Sequence, residues 1–175
     1  KTLKKAIDFM RIKNGVLTLT YGGMMAALVF VATYAFKIPI SLTQGYIHLG
    51  DGFILLGAAL LGWTAVPAAA LGSMLADLLG GYTLYCLPTF LIKGAVAAVA
   101  VLAVCGTKPV WMTLALLAAA ELVMVAGYFV VEGFFLFDVA LALTSVPPNG
   151  VQALSGLVIG WVLLPAARRL RRRLS

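Results

Sequence analysis

Charged residues are scarce in this sequence. Of its 175 residues, only 11% are Asp, Glu, Lys or Arg, whereas 63% are hydrophobic. Soluble domains carry roughly 25% charged residues, and the mean hydropathy of this chain is +1.07. The composition therefore excludes an ordinary soluble globular domain and indicates a chain surrounded largely by lipid.

Cysteine and histidine are also rare, which narrows the possible chemistry. Cys86 and Cys105 stand nineteen residues apart on one predicted helix. That spacing corresponds to about 28 Å, so they cannot form a disulfide with each other. His48 is the one histidine, and no Cys or His cluster with metal-ligand spacing accompanies it, so we expect no metal and no other cofactor. The sequence also lacks the Gly-x-x-x-x-Gly-Lys-Ser/Thr loop, which excludes ATP hydrolysis by that route.

Long apolar runs are what the sequence has in abundance. About 20 apolar residues span a bilayer core of roughly 30 Å. The chain has four runs of that length and one of double length, residues 49–80, which is interrupted at residues 62–64. We predict an all-α integral membrane protein, one domain over residues 1–175, with six transmembrane helices. Their expected ranges are 14–36, 49–62, 64–80, 84–104, 110–131 and 150–167. The second and third are short, so a re-entrant pair is the alternative.

Basic residues cluster at the two ends of the chain. Residues 1–13 hold five bases and one acid, and residues 168–173 hold five bases. Because the cytoplasmic flanks of membrane spans are enriched in Lys and Arg, both termini are predicted to be cytoplasmic. The loops at residues 37–48, 81–85 and 132–148 then lie outside. These bases flank apolar spans, so the expected partner is the lipid bilayer and not nucleic acid.

The few polar side chains collect near the predicted outer ends of the helices. Their placement there costs free energy and requires a reason. Lys93 and Glu121 lie deeper, roughly 12 to 15 Å from a helix end, whereas Asp77, Tyr82 and Glu132 belong to the outer group. A polar cavity open to the outside explains this distribution. Its predicted ligand contacts are Tyr46, His48, Asp51, Tyr85, Thr89, Lys93, Glu121, Tyr128, Asn149 and Gln152.

Each of these residues also has a structural interpretation. The tyrosines fit an aromatic belt at the membrane interface. His48 and Asp51 fit the amino terminus of the second helix, where Asp51 would accept backbone N–H bonds. Asn149 and Gln152 have the spacing of a capping box. The two deep charges would neutralise each other, because an unpaired charge at that depth is expensive.

The first predicted helix carries small residues at a spacing of four. Gly23 and Ala27 form one pair, and Gly22 and Ala26 form another one position earlier. This spacing removes side-chain bulk from one helix face, so another helix can approach closely. The approaching helix belongs either to a partner protein or to this chain.

Four motifs follow one another along the chain, namely GYIHLGDGFILLGAALLG, GSMLADLLGGYTLY, PTFLIKG and NGVQALSGLVIG. Together they resemble the substrate-binding S component of energy-coupling factor (ECF) vitamin transporters, in the branch related to riboflavin, pyridoxine and hydroxymethylpyrimidine carriers. The resemblance implies a multi-pass protein of a prokaryotic plasma membrane, with six helices and cytoplasmic ends. It also implies a subunit that captures a vitamin outside, is not itself an enzyme, and works with a transmembrane coupling protein and two ATPase subunits.

The resemblance extends to a partner surface and to lids. In this family an Ala-x-x-x-Ala patch on the first helix contacts the coupling protein. The matching positions here are Gly23 and Ala27, with glycine in place of the first alanine. The loops at residues 37–48 and 80–85 match the family's lids.

The expected ligand is a small heteroaromatic vitamin. Aromatic faces, a lysine, carboxylates and amides suit a flat ring with polar edges. Pyridoxine or hydroxymethylpyrimidine is favoured over riboflavin or a queuosine-like base. The main rival function is a small intramembrane enzyme that uses Asp51, His48 and Lys93, but the sequence shows no nucleophile to pair with His48. A purely structural membrane subunit is a third possibility, disfavoured by the cost of burying charges.

Overall fold

The computed structural model describes residues 15–40, 45–106 and 108–174. Six α-helices and one short hairpin form this part of the chain. In order they are α1 Gly15–Ala35, β1 Ile38–Ile40, β2 Gly45–Ile47, α2 Gly50–Leu61, α3 Ala65–Gly80, α4 Cys86–Val104, α5 Val110–Val131 and α6 Val139–Leu174. Short 3-10 turns occupy Gly62–Thr64 and Thr83–Tyr85, and a π-helical turn occupies Glu132–Leu136.

Five helical segments in the described residues are long and apolar enough to cross a membrane. They are Gly15–Ala35, Gly50–Gly80, Thr83–Val104, Val110–Leu136 and Val139–Arg171. Helices α2 and α3 together make up one of them, because 12 and 16 residues extend only about 18 and 24 Å each. The architecture is therefore all-helical and membrane-like, apart from the hairpin. Six separate crossings and cytoplasmic termini remain predictions, and the basic residues 1–13 lie outside the described part.

Helices α2 and α3 are separated where the sequence predicts a break. Gly62 adopts φ 60°, a left-handed conformation that favours glycine over other residues. The chain folds back there, so that a Cβ on Gly57 would lie 3.5 Å from the Cβ of Ala65. The apolar run at residues 49–80 is thus two helices joined by a turn.

Helix α2 lies inside the bundle. It packs against α1, α4 and α6, while α3 packs between α1 and α4, and α5 lies between α4 and α6. Ile54, Leu55 and Ala58 of α2 are at most 2% exposed and join Val96 and Leu117 in the main core cluster. Polar residues at the start of α2 are consequently placed at the centre of the molecule.

The last helix starts much earlier than the sequence suggests. Residues 132–148 are predicted as an outer loop and the final helix as residues 150–167, but α6 begins at Val139 and includes Pro147 and Pro148. Proline lacks an N–H and crowds the preceding turn, which is why it predicts a helix boundary. Within packed membrane helices such prolines are tolerated, because neighbouring groups compensate for the lost hydrogen bond.

Two structural interpretations change with this boundary. Asn149 and Gln152 lie inside α6, so the proposed capping box is wrong. The β1–β2 hairpin is a second difference from the predicted all-α fold, with Ile38 opposite Ile47 and Pro39 opposite Tyr46. It occupies part of the predicted lid at residues 37–48, of which residues 41–44 lie outside the described part.

The two small-residue pairs of α1 face different surroundings. A Cβ on Gly22 would lie 3.1 Å from the Cγ2 of Thr64, and a Cβ on Gly72 of α3 would lie 3.2 Å from the Cα of Ala26. The Gly22 and Ala26 face therefore packs inside the chain. A Cβ on Gly23 would meet no atom within 4 Å, and Ala27 is exposed.

We expect Gly72→Ala to destabilise the protein. The new methyl group would meet the backbone of Ala26, and such overpacking costs about 1–3 kcal/mol. Thermal unfolding in detergent measures the effect. Gly23→Ala is the matched control, because its methyl group enters open space and alanine favours a helix. Equal melting temperatures for the two variants would contradict the close contact between α1 and α3.

Candidate functional site

A cavity opens among the hairpin, the end of α3 and the helices α4 to α6. Its empty volume is about 380 Å³, and its lining residues are Tyr46, His48, Asp77, Tyr85, Thr89, Tyr128, Glu132, Asn149 and Gln152. Seven of the ten predicted ligand contacts are among them. Asp51, Lys93 and Glu121 are not in the lining.

A buried ion pair lies beneath this cavity. Lys93 Nζ donates to both carboxylate oxygens of Asp51, at 2.6 and 2.9 Å, and both side chains are 0% exposed. The amide of Gln152 adds a third hydrogen bond, from Nε2 to Asp51 Oδ2 at 2.6 Å. The pair thus ties α2, α4 and α6 together. Asp51 makes no side-chain cap at the start of α2, so the capping interpretation is wrong.

Gln152 connects the ion pair to the cavity. Its Oε1 accepts the backbone N–H of His48 at 3.0 Å, while its Nε2 serves Asp51. Both ends of this one amide are therefore used, and Gln152 is only 2% exposed. The residue holds the end of the hairpin above the ion pair.

Glu121 does not pair with Lys93 as the sequence suggests. It is 2% exposed, and neither of its carboxylate oxygens has a hydrogen-bond partner among the described residues. A Cβ on Gly156 would lie 2.8 Å from Glu121 Oε1 and 2.9 Å from the Cβ of Asp51. Glycine at position 156 therefore leaves the room in which Glu121 lies beside Asp51.

Three tyrosine rings form walls of the cavity, and each hydroxyl is hydrogen-bonded to the protein. The bonds are Tyr46 Oη to Asp77 Oδ1 at 2.5 Å, Tyr85 Oη to Glu132 Oε1 at 3.0 Å, and Thr89 Oγ1 with Tyr128 Oη at 2.9 Å. The centroids of the Tyr85 and Tyr128 rings are 6.3 Å apart. These bonds fix the ring orientations, so the aromatic faces are held in place before a ligand arrives.

The two carboxylates in the lining differ in how fully they are bonded. Glu132 lies in the π-helical turn and accepts hydrogen bonds from Tyr85 and Ser145, one on each oxygen. Asp77 accepts from Tyr46 on Oδ1. Its Oδ2 has no hydrogen-bond partner within the described ranges, although the residue is only 2% exposed.

Comparison with known proteins is decisive at this point. The family model for the ECF-type riboflavin transporter, S component, matches residues 13–169. The chain belongs to this family. It is also similar to an "Uncharacterized protein in gap 3'region" of Pyrococcus woesei, with 35% identity over 133 residues that cover 75% of this chain and 88% of that protein. The suspected family is thereby confirmed.

Membership places the chain among multi-pass cell-membrane proteins that bind substrate for vitamin uptake. S components act with an ECF module of membrane and ATPase subunits, so the energy for transport comes from other chains. The apolar helices of this S component agree with a membrane location.

His48 is a neutral hydrogen-bond donor in this S component. Burial lowers its pKa to about 3, helped by the positive charges of Lys93 and Lys37 and opposed by Asp51. Its Nδ1 accepts the backbone N–H of Gly50 at 2.9 Å. The one proton of the neutral imidazole is therefore on Nε2.

Lys37 lies at the mouth of the cavity on a cage of tyrosine rings, which we define as Tyr34, Tyr46 and Tyr82. Its Nζ is 4.0, 5.2 and 5.3 Å from the respective ring centroids. Partial burial lowers the pKa of Lys37, and the nearby carboxylate of Asp77 opposes that shift. Cation–π attraction thus links the start of the hairpin to the turn after α3.

Asp77 and Glu132 are the cavity residues that the predicted ligand contacts omit. The sequence places both near the outer ends of helices, in the same layer as the predicted contacts. That shared depth was the available signal. It does not distinguish carboxylates that face the cavity from those that face a neighbouring helix, because this depends on helix rotation.

We expect loss of either partner of the ion pair to destabilise the S component strongly. Lys93→Met or Asp51→Asn leaves an unpaired buried charge, which costs about 3–5 kcal/mol. The double variant removes both charges and should lose much less than the sum of the two single variants. Thermal unfolding of all four proteins in detergent tests this double-mutant cycle. Additive losses would show that the two side chains do not interact.

Proposed function

We propose that this S component captures a small heteroaromatic vitamin or vitamin precursor, of the pyridoxine or hydroxymethylpyrimidine type, with high affinity. Uptake is then driven by ATP through a separate energy-coupling module. The observation that carries the proposal is the cavity of about 380 Å³ with three fixed tyrosine rings in its walls. Such rings suit a flat ligand between them.

The size of the cavity supports a single-ring ligand. Ligand pockets generally range over about 300–1,000 Å³, so this one is near the small end. Riboflavin, after which the matching family model is named, carries three fused rings and a sugar-alcohol chain. Pyridoxine and hydroxymethylpyrimidine each carry one six-membered ring with short polar substituents, which supports them as the substrate type.

The polar groups of the cavity also favour such a ring. Asp77 Oδ2 offers an acceptor, and Nε2 of His48 carries a donor. The side chain of Asn149, at 6% exposure, lines the cavity and adds both an N–H donor and an oxygen acceptor. Donors and acceptors at several edges match hydroxymethyl groups and ring nitrogens.

The arrangement does not support the intramembrane enzyme. Lys93 and Asp51 are bonded to each other, and the Nδ1 of His48 is occupied by a backbone N–H. Acid and base catalysis requires groups that converge on a reacting atom. In the part of the chain that the structure describes, these three residues serve packing and orientation instead.

Asn149→Ala should weaken binding of the captured vitamin while leaving the fold intact. The first step is mass spectrometry of the small molecule released when the purified protein is denatured, which names the ligand. Isothermal titration with that ligand should then show a loss of about 0.5–1.5 kcal/mol, the value of one neutral hydrogen bond.

Ser155→Ala is the matched control on the same helix. The Ser155 hydroxyl donates to the backbone oxygen of Gln152 at 2.8 Å, and the residue is not in the cavity lining. Its affinity should equal that of the wild type. Equal affinities for Asn149→Ala and the wild type would remove Asn149 from the site, and absence of any released or titrated vitamin would contradict the proposed function.

We also propose that Gly23 and Ala27 contact the transmembrane coupling protein. Both are exposed, and the space over Gly23 is open to 4 Å. The neighbouring face with Gly22 and Ala26 is already packed within the chain. An exposed smooth helix face supports close approach of a partner helix.

Ala27→Trp should abolish uptake without abolishing vitamin binding. The large ring blocks backbone approach by a partner helix, whereas α1 contributes no residue to the cavity lining. Uptake is measured in cells that contain the ATPases and the coupling protein, and binding is measured on the isolated subunit. Met24→Trp is the control, because Met24 is 64% exposed on a different side of α1. Normal transport by Ala27→Trp would refute the contact.

A further inference from the structure

The charges of the cavity are uneven, which bears on the ligand that it accepts. Asp77 and Glu132 contribute carboxylates to the lining, and the lining residues include no lysine or arginine. Lys93 is paired with Asp51 beneath the cavity, and His48 is neutral. The described lining thus offers negative or neutral groups only.

Asp77 is the carboxylate with an unused acceptor. Its Oδ2 lacks a partner among the residues described, and the side chain is 2% exposed. A buried polar atom without a hydrogen bond is costly, so a donor from a ligand would recover that free energy. Glu132, in contrast, already accepts from Tyr85 and Ser145. The two carboxylates therefore differ in what they can offer a ligand.

The mouth of the cavity shows that its surroundings accommodate an ammonium group. Lys37 Nζ rests over the rings of the tyrosine cage at 4.0 to 5.3 Å. Tyr46 belongs both to this cage and to the cavity lining, and it donates to Asp77. Aromatic faces and a carboxylate are the groups that attract a cation.

We propose that this S component selects an unphosphorylated ring that carries an amino group, which donates to Asp77 Oδ2, and that it rejects phosphorylated and carboxylated rings. This inference rests on the proposed function and names the chemical class of the substrate of that site. Within that class an aminopyrimidine is the preferred ligand over pyridoxine, whose ring substituents are hydroxyls.

Rejection of phosphate follows from the same charges. A phosphate ester carries about −1.5 to −2 charges near neutral pH, and its usual partners are arginine forks or lysines. Here it would lie beside Asp77 and Glu132 in a site partly shielded from water, where repulsion between like charges is screened little. Lys93 cannot serve as its counter-ion without leaving Asp51 unpaired.

Isothermal titration of the purified, ligand-free protein with five defined probes tests the inference. The probes are hydroxymethylpyrimidine, its monophosphate, its deaminated analogue with oxygen in place of the amino group, pyridoxine and pyridoxamine. The aminopyrimidine should bind most tightly, and the deaminated analogue about 10- to 150-fold more weakly, as expected for loss of a charge-assisted hydrogen bond. The monophosphate should show no binding.

Asp77→Asn gives a second, independent measurement. It should weaken binding of the aminopyrimidine and reduce the difference from its deaminated analogue, because the amide is uncharged. Where this variant fails to fold, the five wild-type titrations still decide the matter. Equal affinities for the amino and deaminated rings, or tight binding of the monophosphate, would overturn the inference and leave the proposed function standing. No binding of any ring would overturn both.

Discussion

The ion pair of Lys93 and Asp51 is the interaction on which the rest of the structure depends. Two charges with no exposure to solvent are expensive to bury singly, so α2 and α4 must meet where these side chains meet. Gln152 extends the constraint to α6 and to the hairpin through its two hydrogen bonds. Three helices and one lid segment are therefore held in register by a single buried cluster.

The cavity follows from that register. With its base held by the ion pair, the ends of α3, α4 and α5 bring tyrosines into its walls, and each ring is fixed by a hydroxyl that bonds to another side chain. Neutral His48 and unsatisfied Asp77 supply polar groups at its edges. The charges beneath the cavity hold the site together, whereas the groups in its lining are left to bind a ligand.

Much of this was accessible from the sequence, because length and apolarity define membrane helices and polar residues in them require a common reason. The pairing of the buried charges was not accessible. Lys93 and Glu121 lie at similar depth on neighbouring helices, but the angle at which α2 crosses the bundle brings Asp51 to Lys93 instead. The start of α6 was also hidden, since Pro147 and Pro148 predict a boundary in an isolated helix and are tolerated in a packed one. The family resemblance indicated the function, and the rotation of the helices decided which residues line the site.

A high-resolution structure of the purified S component with its bound small molecule tests the central claim most directly. We predict one ring lying among Tyr46, Tyr85 and Tyr128, with a donor within about 3.2 Å of Asp77 Oδ2 and with the Lys93–Asp51 pair unbroken. A ligand bound elsewhere, or one that separates Lys93 from Asp51 and takes the lysine as its own partner, would contradict the account.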